Sequence, residues 1–347
     1  MNHFKGQDIY VGIDVHKKSW QVSVYGEFNK FRTFTQPPSA LVLNNYLRKT
    51  FPGASFYAAY EAGFCGFGAY RELNEYGIKT IVVNAADVPT TDKEKQQKTD
   101  IIDSNKIAKS LRAKQLRCIY VPSDESLQDR SVLRYRNKLV ADQTRCKNRI
   151  KSFLHFHNIK IPIEYDNANW GKSFIDWLRN TSKQYWTLSL MIDKLLHIKQ
   201  ILKVVNKQLL EISRKERYHN RVSLLKTIPG IGNLSAIHIL LELDDITRFS
   251  NTDQLASFVG ITPSAHSSGE KDRMGNITYR GNKHLKKYLI EASWVAVRKD
   301  PEMMLTFTNL SRRMIKTKAI IRIARKLLNR IKAVLETEQP YEINFNL

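Results

Sequence analysis

Asp100 and Asp103 stand three residues apart in KTDIIDSNKIAKSL, residues 98–111, at the start of a predicted helix in a strongly basic chain. At that spacing two side chains share a helix face, and like charges there repel unless a cation lies between them. One reading is local. Asp100 as N-cap and Asp103 in the first turn would complement the unpaired N–H groups and the positive end of the helix dipole. The other is chemical, and it gathers two further carboxylates. Asp14 lies in YVGIDVH among Val11, Ile13 and Val15, residues that fill a central strand. An unpaired carboxylate there is costly unless it meets a cation or lies at the exposed end of the strand. Glu61 closes FYAAYEAG in the same way. Asp14 and Glu61 thus come from strand ends, and Asp100 and Asp103 from one helix face that can pack across those ends. Four converging carboxylates need positive charge, which hard divalent cations with oxygen ligands supply. Paired ions about 3.5–4 Å apart suit phosphoryl transfer, because they steady both the attacking and the leaving oxygen.

A fifth candidate is Ser268, which precedes Gly269 in a turn-rich stretch flanked by Lys271, Arg273 and Arg280. A primary hydroxyl among cations can attack a phosphodiester when a metal or base activates it. Ser-Ser-Gly is also an ordinary turn, and Ser267 is adjacent.

The elements that must position these groups fall into three segments. In residues 1–124, DIYVGIDVH, SWQVSVYGE and KFRTFTQ read as three neighbouring strands. A helix over 39–49, a strand SFYAAYEAG, a short helix over 69–76, a strand KTIVVNA and the Asp100/Asp103 helix follow. That order predicts an α/β domain with a mixed sheet. Residues 125–217 read as helical and lysine-rich. Leu188, Met191, Leu195, Ile198, Leu202, Val205, Leu209 and Ile212 repeat with alternating spacings of three and four. This heptad seam serves either a coiled-coil dimerisation arm or an intrachain helical hairpin packing on residues 131–154. Residues 218–347 open with LLKTIPGIGNLSAIHILLEL, a helix-hairpin-helix pattern. Gly230 and Gly232 would let its backbone approach a phosphate, with the free N–H groups of the next helix aimed at it. Near the end, SRRMIKTKAIIRIARKLLNRIK, which includes Arg322 and Arg325, carries nine Lys/Arg and no acid. It reads as a phosphate-tracking helix rather than a merely solvated face.

Composition narrows the partners. The 347 residues include 56 Lys+Arg against 33 Asp+Glu, a net charge of +23. A polyanion is the expected partner, and nucleic acid comes before membrane because no apolar run approaches the ~18 residues of a spanning helix. MNHFKGQDIY lacks the apolar region of a signal peptide, and Cys65, Cys118 and Cys146 form no CxxC pair. Reduced thiols in a cytosol are therefore expected. Sugar kinases and actin-like ATPases also open with a GID strand, but there the aspartate runs into a phosphate-gripping hairpin. Here Asp14 is followed by Val15, His16 and two lysines.

The order GIDVHK, EAGF, KTDIIDSNKIA, IPGIG and SSG…GNITYRGNKHLKKYL resembles, over essentially the whole chain, the DEDD transposases of bacterial insertion sequences, the IS-one-ten family. The resemblance implies a RuvC-like, RNase-H-like N-terminal domain, a coiled-coil arm and a mainly α C-terminal domain carrying the serine. It implies that Asp14, Glu61, Asp100 and Asp103 bind Mg²⁺ (or Mn²⁺) and that Ser268 is the nucleophile. It further implies a recombinase that joins element ends to target DNA under the direction of a noncoding guide RNA, working as a dimer or tetramer. EAGF lacks the Thr often found after the glutamate-alanine pair, and Glu270 stands where a second glycine is common. Two alternatives carry different expectations. A metal-dependent, structure-selective nuclease would leave no covalent intermediate, and a nonenzymatic nucleic-acid-binding protein would be indifferent to loss of its carboxylates.

Overall fold

The structure is a computed structural model that describes residues 4–92, 99–165, 170–268, 271–277 and 280–343, with the side chains of 264–276 outside the description. The chain divides into two compact units, Met1–Val121 and Pro122–Leu347. The segments expected as 125–217 and 218–347 both fall in the second.

The first unit is built on a five-stranded sheet in the order β3-β2-β1-β4-β5. Its strands are β1 (Asp8–Val15), β2 (Trp20–Tyr25), β3 (Lys30–Gln36), β4 (Ser55–Glu61) and β5 (Lys79–Val83). The first three form an antiparallel meander, while β4 runs parallel to both β1 and β5. Alternation along β1 decides what each face does. Ile9, Val11 and Ile13 point into a core shared with α1 (Ala40–Thr50) and α2 (Gly68–Glu75), through Leu43, Leu47 and Leu73. Tyr10, Gly12 and Asp14 point to the other face, which α3 (Asp100–Arg112) covers.

Close approach fixes α3 there. A Cβ on Gly12 would lie 2.2 Å from the Ser104 carbonyl oxygen and 2.4 Å from the Ala108 nitrogen. Strand and helix backbones therefore meet with nothing between them. Beside this contact the buried Ser23 and Ser104 hydroxyls hydrogen-bond at 2.8 Å, and the Tyr25 hydroxyl donates to Asn105 Oδ1 at 2.9 Å.

In the second unit, α4 (Asp124–Phe156) packs along α6 (Trp186–Ser213), with α5 (Lys172–Ser182) beside them. Seven of the eight heptad residues, all but Met191, are buried within this one chain, joined by Ile192. The intrachain hairpin thus occupies the seam, and the repeat alone calls for no second copy. The lower part of the seam, Leu209 and Ile212, enters the same core as α7 (Glu216–Leu225), α8 (Asn233–Leu243) and α9 (Thr252–Val259). That core also takes in α10 (Lys283–Lys299), α11 (Pro301–Ser311) and α12 (Lys316–Thr337). Within the turn-rich stretch, Pro263–Ser268 (β6) and Lys271–Ile277 (β7) pair as an antiparallel hairpin. No helix among the described residues is long and apolar enough to cross a membrane.

Gly12→Ala should destabilise the first unit by about 1–3 kcal/mol, the usual cost of overpacking a close contact. Denaturant unfolding followed by a signal from Trp20 checks this, and an unchanged midpoint would show that α3 is not pressed against β1.

Candidate active site

Register places the first two carboxylates. Ile13 lies level with Tyr60 on the parallel pair β1 and β4, so Asp14 and Glu61 stand at neighbouring strand ends on the face covered by α3. The first turn of α3 supplies the other two. Thr99, not Asp100, is the N-cap, its hydroxyl accepting the Ile102 N–H. Asp100 is therefore the first helical residue, free of the capping role that its sequence position suggested.

The four carboxylates are bridged in pairs. His16 Nε2 lies 3.1 Å from Asp14 Oδ2 and 3.3 Å from Asp100 Oδ2. Lys106 Nζ lies 2.9 Å from Asp103 Oδ1 and 3.8 Å from Glu61 Oε1. Burial pushes the Asp14 carboxyl above its ordinary range, His16 pulls it back, and the charges of Asp100 and Asp103 push it further up. A half-buried carboxyl crowded by like charges gains proton affinity, and a cation beside it would offset that. The ligand atoms of Asp14, His16 and Asp100 all lie within 4.8 Å of one another, and this oxygen-rich donor set with one imidazole fits a divalent metal.

His16 and Lys106 did not figure among the candidates, although each left a signal. His16 follows Asp14 by two, on the same face at the strand end, and Lys106 follows Asp103 by one helical turn.

The residues expected at nucleic acid stand in different surroundings. Gly230 has φ +97°, and a Cβ there would lie 2.4 Å from the Ala292 carbonyl oxygen. Its missing side chain thus admits α10 of the same chain, whereas Gly232, at the N-terminus of α8, faces open space. Arg325 is ion-paired to Asp253, and Arg330 to Asp300 and Glu302. Arg322 is exposed, as are Arg312, Arg313, Lys316 and Lys318, and these five have no acidic partner among the described residues. Arg280 is also exposed.

The side chains of Ser267, Ser268, Lys271 and Arg273 lie outside the described residues. Their backbone places Ser268 opposite Lys271 and Ser267 opposite Asp272 in the hairpin. At the base of the hairpin, Gly260 and Gly281 touch, since a Cβ on Gly281 would lie 2.5 Å from the Gly260 Cα. Asn282 then caps α10 and donates to Glu242 Oε2 at 2.7 Å. Glu242 is buried, yet its carboxyl is held below the ordinary range because hydrogen bonds from Arg134 and Asn282 outweigh its desolvation. Beside it, His238 stacks on Tyr288 with 3.6 Å between ring centroids and meets Asn137 Oδ1 at 3.3 Å. Burial drives the His238 pKa down to about 3.

The sequence has counterparts among known proteins. Residues 11–159 match the profile of the DEDD transposases of the IS110 type, and residues 222–308 match the profile described as the transposase IS116/IS110/IS902 family. The chain belongs to this transposase family, whose members cleave and rejoin DNA. Among individual relatives, the transposase of insertion sequence element IS1533 from Leptospira borgpetersenii is 28% identical over 260 residues, 70% of this chain and 72% of that protein. The transposase of element IS1111A from Coxiella burnetii is 25% identical over 285 residues, 78% of this chain and 75% of the other. The pilin gene-inverting protein of Moraxella bovis is 32% identical over 127 residues, 36% of this chain and 39% of that protein.

His238 is neutral in the fold and titrates near 6.5 when unfolded, so acid favours the unfolded chain. Stability of the helical unit should be complete above about pH 6.5 and fall toward pH 3, by up to about 1.4 kcal/mol per pH unit. Urea midpoints across this range check it. His238→Gln should flatten the slope, and a wild-type profile as flat as the variant's would show that the imidazole is not buried neutral.

Proposed function

We propose that this transposase cuts and rejoins DNA with Asp14, Glu61, Asp100 and Asp103 as holders of a divalent metal, Mg²⁺ or Mn²⁺, and with Ser268 as nucleophile. The observation that carries the reading is the convergence of four carboxylates from two strand ends and one helix turn, in a chain of this family. The bound metal would supply positive charge at the scissile phosphate and at the leaving oxygen.

The chain's own residues set up the rest. The close contact at Gly12 holds the first turn of α3 over the strand ends, so the carboxylates need no rearrangement to act together. Ser268 Oγ forms the new bond to phosphorus as the bond to the leaving sugar oxygen breaks. The hydroxyl proton departs to solvent, and the leaving oxygen takes one up. The phosphoserine ester retains the energy of the broken linkage, which allows rejoining by the reverse attack without ATP. The relative from Moraxella bovis, which by its name inverts a gene segment, favours rejoining over simple hydrolysis.

The charge surplus of +23 suits two polyanions, the DNA of the element ends and target and a noncoding guide RNA. Arg312, Arg313, Lys316, Lys318 and Arg322 offer an exposed cationic patch for one of them, and the open N-terminus of α8 at Gly232 a second contact. A dimer would have to form through surfaces other than the filled heptad seam, such as Val204, which is 69% exposed on α6.

The test incubates the protein with Mg²⁺, the RNA encoded beside its gene and labelled DNA from the element ends, and resolves the products on a denaturing gel. A protease-sensitive protein–DNA adduct is expected, lost by about 10³-fold or more in Ser268→Ala and in Asp14→Ala but retained in Ser267→Ala. Cleavage without an adduct, indifferent to both serines, would replace this reading with a water-using nuclease.

A further inference from the structure

We propose that Lys106 is the resident counter-charge of the acidic centre and that it limits the centre to one divalent ion, seated on the side of Asp14, His16 and Asp100. This rests on the metal-holding reading above and specifies how many ions the centre takes. In a two-ion centre each cation lies among carboxylates, with the pair about 3.5–4 Å apart. Here the position between Glu61 and Asp103 is taken by an ammonium group, at 3.8 Å and 2.9 Å.

Three features make Lys106 a fixture. Its side chain is only 10% exposed, it stands one turn beyond Asp103 on the same helix, and that helix is fixed against β1 at Gly12. Lys106 engages both Glu61 Oε1 and Asp103 Oδ1, so one ammonium group serves two carboxylates. His16 differs in kind. It is half exposed and lies against Asp14 and Asp100, and an imidazole nitrogen can ligate an ion where an ammonium group cannot.

Charge arithmetic shows what Lys106 adds. Four carboxylates and one ammonium sum to −3, which one divalent ion brings to −1, against −2 without the lysine. An anionic phosphodiester therefore meets less repulsion with one ion bound than it would at four carboxylates alone.

The experiment is a Mn²⁺ titration of the full chain without nucleic acid, with free Mn²⁺ read by electron paramagnetic resonance. Wild type, Asp14→Asn, Lys106→Met and Lys106→Arg are compared. One Asp14-dependent ion is expected in wild type and in Lys106→Arg, and two in Lys106→Met. Two ions in wild type, or one in Lys106→Met, would remove the role of Lys106 and leave the metal-holding reading standing. No Asp14-dependent Mn²⁺ in any variant would overturn both. The wild-type count decides between one and two even where Lys106→Met fails to fold.

Discussion

Like charges do not gather unless something opposes their repulsion, and the first unit is organised around that constraint. Two carboxylates stand on adjacent parallel strands and two on the helix that crosses the strand ends. Each pair is held by a positive or dipolar group from the same elements, His16 beyond β1 and Lys106 on α3. The close packing at Gly12 is the other half of the constraint, since a helix standing off by one methyl layer would carry Asp100 and Asp103 away from Asp14 and Glu61. Ser23, Ser104 and Ala108 are small for the same reason.

The strand and helix order of the first unit was legible because period-2 alternation in β1 and the turn residues between strands carry the information locally. So were the strand-end positions of Asp14 and Glu61, since a charge within an apolar strand asks for an explanation from its own neighbours. Lys106 and His16 were harder. In a chain with 56 cationic residues one more lysine carries no signal until the fold shows what it touches. The heptad seam marks a different limit. Its period announced a helix–helix seam, but a repeat records that a face is buried and not which helix buries it, and the partner was α4 of the same chain. Gly230 shows a related limit. A glycine marks a close approach of backbone without naming the approaching group, and within this chain the Ala292 carbonyl approaches it.

Net charge likewise needed the fold to be read correctly. The C-terminal basic run contains no acid of its own, yet Asp253, Asp300 and Glu302 reach it from other elements. These pairs neutralise the helix from Arg325 onward and leave Arg312, Arg313, Lys316, Lys318 and Arg322 as the exposed cationic end. Asp300 is buried, so its pairing with Arg330 contributes to the packing of α11 on α12. An exposed cation and a buried ion pair look alike in composition but act on different partners.

The hairpin that carries the two serines is anchored where it leaves the helical core. Gly260 and Gly281 meet at its base, each with positive φ, and no other residue would allow both the backbone angles and the contact. The Asn282 N–H donates to the Phe258 carbonyl at 2.8 Å, which closes the stem. Its side chain caps α10 and reaches the buried Glu242, and Glu242 is held in turn by Arg134 from α4. Three helices therefore fix the direction in which the strands depart. A pair of glycines in backbone contact and a buried, ion-paired carboxylate would be a costly way to build an ordinary surface turn. Their presence at the stem is the physical reason to regard the hairpin as a positioned part and not as a connection.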